Sequence, residues 1–416
     1  MVGNTYPYRL DHWMSDIKLA HAHGFDGFAL NVGREEWQRD RVGDCYSAAL
    51  QSQLPFKLFL SFDMTSIPAT CEEDVKHLAE YLKQFASHPN QFLCKGKTMI
   101  STFAGENSTF GCSDAAAGWK YAKKVLNQIV PVYLVPSFFI DPAHHNFHSV
   151  MDGYFNWNGS WPIHLTPESS PEEIRLPKLE TDHHHLRYLG DKTFMAAVSP
   201  WFFTHYGPDS WNKNWIYRGD DWLFVRKWEK LIGMRDRINI VQLISWNDYG
   251  ESHYVGPIKG AQPNSQAWVD GYPHEAWLHL NAYFIRAFKQ GFSLGSPTLE
   301  DRIFVWARPH PKDAWAPDSV PRPTNWQLTD DNFWVVVLST REGLVKMWSA
   351  DDRGDARSYR ILPGLLKLSH PLVLDGGMGV EVIRDGNVVA RCNPEVYKFQ
   401  SQPGVYNFNA FVAMSS

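Results

Sequence analysis

Between residue 1 and about residue 291, short apolar runs alternate with stretches of helical spacing, and few folds accept that rhythm. The runs cover residues 1–4, 25–32, 56–62, 98–103, 132–139, 150–155, 194–199 and 238–244. Several are apolar almost without a break, as a strand covered on both faces requires. The stretches between them carry apolar residues on one side only. Val75, Leu78, Leu82 and Phe85 form one such face, and Trp222, Val225, Trp228, Leu231 and Ile232 another. Thr70 with Glu73, and Asp220 or Asp221, are expected helix caps. The link at 141–149 is too short for a full helix and reads as a turn or loop. Strand–helix alternation implies a parallel sheet, and eight units imply an α/β fold closed as a (β/α)8 TIM-type barrel.

After Gly291 the texture changes. Alternating β segments occupy 303–307, 333–339, 344–348, 380–383, 388–391 and 405–412, and Asp385-Gly386 is a hairpin signal. The expected organisation is a catalytic barrel over 1–295, followed by a C-terminal antiparallel β-sandwich domain over 300–416 that supports it.

In such a barrel the chemistry sits at the C-terminal ends of the strands. The last apolar run ends in the segment ISWNDYGESHY, residues 244–254. Asp248 and Glu251 are carboxylates three residues apart, and Gly250 is expected to turn them toward one opening. Paired acids beside aromatic faces are what sugar cleavage needs: a proton donor, a base and a stacking surface. The plainer alternative is a solvated loop that caps the next helix. Other strand ends supply candidate sugar contacts: Asn4, Asn31, Asp63, Glu106, Trp157, Trp201, His205 and Tyr206. Trp246, Asn247, Tyr249, His253 and Tyr254 surround the acids in sequence. At least two of Trp157, Trp161, Trp201 and Trp246 are expected to stack on sugar rings.

The net charge of −5 argues against nucleic acid or an anionic membrane as partner, and 18 Trp favour a flat, hydroxyl-rich ligand. No apolar run reaches membrane-spanning length. Cys45, Cys71, Cys94, Cys112 and Cys392 fit no zinc spacing. The tract Asp182-His183-His184-His185 points its imidazoles in different directions on a helix. His144, His145 and His148 follow no ligand spacing. No metal or cofactor is expected. Asn107-Ser-Thr and Asn158-Gly-Ser are glycosylation acceptors in a secreted chain, although the N-terminus shows no signal peptide.

The segments FALNVG, LFLSFDMTS, STFAGE, FNWN and ISWNDYGESHY, in that order, resemble the fungal α-1,3-glucanases, or mutanases, of glycoside hydrolase family 71. The resemblance runs the length of the chain. It implies endo-type hydrolysis of α-1,3-glucan, inversion at the anomeric carbon, no metal, and a secreted or cell-wall location. By motif it places the catalytic acids on Asp248 and Glu251, with Asp63 as a third. The longer Glu251 is the expected acid and Asp248 the base, the reverse also being sterically open. Their carboxyls are expected about 6.5–9.5 Å apart, the spacing of inverting enzymes. The chain is expected to act as a monomer. An intracellular or shortened form, a non-catalytic glucan-binding protein, and an α-glucanase of another linkage are the alternatives.

Overall fold

Parallel pairing organises the first part of the chain. The computed structural model describes residues 1–143, 145–219 and 221–415. His144, one of the loop histidines, and Asp220, one of the two candidate caps, lie outside the described residues, as does the His145 side chain. The first strands are β1 (Gly27–Val32), β2 (Lys57–Asp63), β3 (Leu93–Cys94), β4 (Lys97–Phe103) and β5 (Val132–Ser137). β1, β2, β4 and β5 pair in that order, all parallel, with the short β3 antiparallel on β4. Next come β6 (Gly153–Asn156), β7 (Thr193–Val198), β8 (Phe203–His205), β9 (Asn214–Ile216) and β10 (Ile240–Leu243). β6, β7 and β10 form a second parallel sheet, while β8 and β9 make a separate antiparallel hairpin. Asp152 joins the two parallel sheets. Its N–H donates to the Leu134 carbonyl at 2.9 Å, and its carboxylate accepts the Leu134 N–H at 2.8 Å.

The expected first strand is absent. Residues Val2–Thr5 form a 3-10 turn, in which the Thr5 hydroxyl donates to the Val2 carbonyl at 2.7 Å. A local side-chain bond of this kind competes with a sheet ladder. Among the described residues, β1 and β10 are therefore the ends of the parallel pairing path.

The helices are α1 (Leu10–Ala22), α2 (Trp37–Ser52), α3 (Val75–Phe85), α4 (Ala115–Leu126), α5 (Pro171–Arg175), α6 (Thr181–Leu189), α7 (Leu223–Gly233), α8 (Gln266–Val269) and α9 (Glu275–Gln290). α3 buries Val75, Leu78, Leu82 and Phe85, the face its spacing predicts. Its approach is capped one residue later than expected, at Cys71 and Asp74. The Asp74 carboxylate accepts the N–H groups of Thr70 and Cys71 at 2.7 and 2.9 Å. Asp221 accepts the Leu223 N–H at 2.8 Å at the start of α7.

Contacts gather the chain into two compact units. The first comprises Met1–Ser160, Leu179–Val198 and Met234–Leu243, and holds every parallel strand. The second comprises Trp161–Lys178, Ser199–Gly233 and Ile244–Ser416.

The second unit contains the β8–β9 hairpin and eight further strands. These are β11 (Arg302–Ala307), β12 (Asn332–Ser339), β13 (Gly343–Trp348), β14 (Arg357–Ile361), β15 (Gly364–Pro371), β16 (Gly379–Arg384), β17 (Asn387–Cys392) and β18 (Phe411–Met414). They make two antiparallel sheets, ordered β15-β12-β11-β18 and β14-β13-β16-β17. Alternate residues of both sheets, such as Val305, Val335, Val345 and Val380, share one apolar cluster. Asp385 and Gly386 turn the β16–β17 hairpin with positive φ at both positions. Strands β14 and β15 were not expected. β14, RSYRI, is mostly exposed and charged, so it lacks the alternation that marks a half-buried strand. Elsewhere in this unit, the Trp201 indole N–H donates to the Phe408 carbonyl at 3.0 Å, and Lys367 meets Glu229 at 2.7 Å.

Candidate active site

The segment after β10 folds back on itself within the second unit. The peptide between Ile244 and Ser245 is cis. The Ser245 N–H donates to the His253 carbonyl at 2.8 Å, and the Val255 N–H returns to the Ser245 carbonyl at 3.0 Å. Between them, Tyr249–Glu251 make one 3-10 turn, and Ser252 reverses the chain at φ 60°. Ser252 is thus the residue that takes the left-handed conformation. Gly250 was expected to do so, but its φ is not positive, and its role is one of space. A Cβ there would fall 2.0 Å from the Tyr206 hydroxyl. In the same way, a Cβ at Gly256 would meet the Trp246 indole at 2.7 Å.

This folding brings the two acids together. One oxygen of Asp248, one of Glu251 and one nitrogen of His253 lie within 4.8 Å of one another. The nearest carboxyl oxygens are therefore closer than the expected ~6.5–9.5 Å spacing of an inverting pair. The short 3-10 turn, where an extended backbone would hold the acids apart, is the cause. Glu251 sits 3.0 Å from His253 Nε2 and 3.8 Å from the Lys213 ammonium. His253 Nδ1 lies 3.0 Å from the Ser245 hydroxyl, which also accepts the Asp248 N–H at 2.8 Å. Three such ligand atoms could also surround a cation, but both ring nitrogens of His253 already have hydrogen-bond partners.

The charges of the pair separate. Burial, then the neighbouring Glu251 charge, push the Asp248 carboxyl up to about 6. Burial also acts to raise Glu251, but the hydrogen bond and charge of His253, with Lys213, hold it below the ordinary carboxylate range. Near neutral-acid pH the resting site thus holds one neutral and one ionised carboxyl, the charge state an acid–base pair requires. The proton rests on Asp248, opposite to the order expected from side-chain reach.

Aromatic side chains pack around His253 and Tyr206. The rings of Trp161 and Phe202 lie 5.7 and 5.8 Å from the His253 ring, and Phe202 stacks on Trp215 at 5.7 Å. Exposed Trp211 packs edge-on against Tyr206 at 4.6 Å. Lys213, Trp211, Trp215 and Tyr217 come from or beside the β8–β9 hairpin and were missed from the sequence. The signal was there: residues 201–217 hold eight aromatic side chains counting Trp201, Phe202, Phe203, Tyr206, Trp211, Trp215, Tyr217 and the imidazole of His205.

Other expected sugar contacts have different places. Trp201 is 1 % exposed and bonded to Phe408, so its indole is core and offers no stacking face. Trp161 is also buried and donates to the Trp201 carbonyl at 2.9 Å. Tyr249 and Tyr254 are fully buried, their hydroxyls on the carbonyls of Pro257 and Tyr272. His205 is held by Asn214 at 2.8 Å and Asp318 at 2.9 Å. His253 is buried behind Glu251, and Asn247 is buried too. Tyr206 is largely buried and Trp246 half-buried.

Asp63, Asn4, Asn31, Glu106 and Trp157 belong to the first unit. Asp63 ends β2, where its Oδ1 accepts the Thr65 N–H at 3.0 Å and the Thr65 hydroxyl at 2.6 Å. Asn31 is buried in β1, and Asn4 lies half-buried in the first 3-10 turn. Glu106 follows β4 and accepts the Phe139 N–H at 3.1 Å. Trp157 follows β6, half-buried, with Phe103 at 4.8 Å. The histidine tract scatters: His184 reaches Asp141 at 3.0 Å, while His185 stacks on Tyr154 at 4.3 Å.

Residues 1–416 match the model of glycosyl hydrolase family 71. A glucan endo-1,3-alpha-glucosidase of Schizosaccharomyces pombe is 36 % identical over 419 residues, covering 100 % of this chain and 93 % of the relative. A mutanase of Penicillium rubens is 30 % identical over 428 residues, covering 99 % and 86 %. An ascus wall endo-1,3-alpha-glucanase of S. pombe is 32 % identical over 352 residues, covering 81 % and 76 %.

Proposed function

The chain belongs to glycosyl hydrolase family 71 along its whole length and is a glycoside hydrolase, and from that membership we propose that it cleaves α-1,3-glucan at internal linkages, with inversion. The names of the relatives support the substrate, since they are endo-1,3-alpha-glucanases and a mutanase. The ascus wall relative supports a site of action outside the cell or in its wall. The consecutive order of the parallel strands supports a (β/α)8-type barrel over 1–295, and the two packed antiparallel sheets support a β-sandwich over 300–416.

The observation that carries the mechanism is the pair Asp248 and Glu251, close together, partly buried, and driven to opposite charge states. One carboxyl gives its proton to the glycosidic oxygen while the other takes a proton from water. Asp63 is the third acid of the reading, orienting sugar or water. Inversion needs a water between base and sugar, so the two carboxyls must part when substrate enters. No metal step is required, and activity is expected to persist in EDTA.

The test is product analysis on a panel of α-1,3-, α-1,4-, α-1,6- and β-1,3-glucans. Oligosaccharides released from α-1,3-glucan alone are expected, with the β-anomer first by proton NMR. Release from another linkage in preference would overturn the substrate, and an initial α-anomer would overturn inversion.

A further inference from the structure

We propose that Ser245 and His253 form a positioning relay, running from the backbone of Asp248 to the carboxylate of Glu251, that fixes which proton each group may hold. The inference rests on the reading of Asp248 and Glu251 as the acid–base pair. The relay is continuous: the Asp248 N–H meets Ser245 Oγ at 2.8 Å, Ser245 Oγ meets His253 Nδ1 at 3.0 Å, and His253 Nε2 meets Glu251 Oε2 at 3.0 Å. The Ser245 oxygen accepts from the Asp248 amide and has a lone pair and one hydrogen left for Nδ1. The direction is set at the other end: Glu251, held below the ordinary carboxylate range, only accepts, so His253 Nε2 carries the proton between them.

The relay has little freedom to move. Two backbone hydrogen bonds, Ser245 N–H to His253 O and Val255 N–H to Ser245 O, hold its two members in register at 2.8 and 3.0 Å. His253 is fully buried, with its ring against Trp161 and Phe202. Ser252, at φ 60°, turns the chain so that residue 253 can face residue 251. Among the described residues, the other charged or titratable groups facing Glu251 are Asp248 on the same turn and Lys213, Tyr206 and Tyr217 on or beside the β8–β9 hairpin. Of these, only Lys213 is a cation, and it is half-exposed at 3.8 Å. The buried imidazole is thus the tighter control on the charge of Glu251.

The test compares His253→Phe, His253→Gln and Ser245→Ala with the parent enzyme. Phenylalanine keeps a flat ring between Trp161 and Phe202 but donates nothing. Glutamine restores a donor near Nε2. With His253→Phe, kcat on α-1,3-glucan is expected to fall about 10–100-fold with KM nearly constant, and the acid limb of the kcat–pH profile should move to higher pH. His253→Gln should bring that limb back, and Ser245→Ala should fall between. The titration of Glu251, followed by carbon-13 NMR of labelled glutamate, should move up in His253→Phe in step with the limb. That readout does not depend on the substrate, so it stands or falls apart from the glucanase reading. An unmoved Glu251 titration in both His253→Phe and Ser245→Ala would overturn the relay.

Discussion

At the scale of single residues, Asp248 joins stability to function in opposite senses. Its folded carboxyl titrates at about 6, above the ordinary value of 3.8, so the folded state binds the proton more tightly than the unfolded state does. The fold therefore carries no penalty at this position below about pH 4. The penalty grows as pH rises through 6 and is complete above it. The rise from 3.8 to about 6 corresponds to about 3 kcal/mol. Asp248→Asn should accordingly stabilise the protein by up to ~3 kcal/mol at pH 7.5 and hardly at all at pH 4, read by urea unfolding at both values. The same variant, and Glu251→Gln, should each lose at least ~10²-fold in rate, the low end of what acid–base help supplies. Full activity in either would remove that residue from the mechanism. The two carboxylates were legible in the sequence because the segment 244–254 is so dense in polar and aromatic groups. Their closeness was not, because it depends on a 3-10 turn and on a serine at positive φ, and neither has a reliable sequence signature.

Among elements, the β8–β9 hairpin is one that sequence reading passed over close to the acids. Its strands are three residues each, too short for a period-2 pattern to register. It nevertheless brings Lys213 to Glu251 and Trp211 to Tyr206. Trp211→Ala should raise KM for the polymer by about tenfold, ~1–2 kcal/mol for a partly covered indole, with kcat little changed. Steady-state kinetics on α-1,3-glucan test this, and an unchanged KM would place Trp211 outside the sugar path. Trp201 should behave in the contrary way. As a core indole it should cost ~3–5 kcal/mol of stability on truncation to alanine, seen as a lowered unfolding midpoint, without a selective effect on KM. The sequence reading offered Trp201 as a sugar contact and passed Trp211 over. What separates them is burial against Phe408, a contact 207 positions away.

For the whole molecule, the first strand after the change of texture begins at Arg302, one residue before the expected segment, and the Asp385-Gly386 turn falls where its residues place it. The partnership of that segment with residues 199–233 and 244–290 was not visible, because every contact that makes it is long-range. His274 lies between the carbonyls of Tyr254 and Ala410, at 2.9 and 3.0 Å, and Asn409 donates to the Trp268 carbonyl at 2.8 Å. A chain ended at residue 295 would uncover Trp201, Tyr254 and Trp277 together, all essentially buried in the intact protein. It should be insoluble or aggregate on expression, and a soluble, cooperatively unfolding 1–295 fragment would refute this. The bond from Trp201 to Phe408 also has a meaning in time. A ribosome delivers residue 201 long before residue 408, at ~5–20 residues per second. For that interval of roughly ten seconds or more, the indole has no carbonyl to meet. A nascent chain stalled before residue 408 would therefore hold Asp248 and Glu251 already made while the Trp201 indole still lacks its partner.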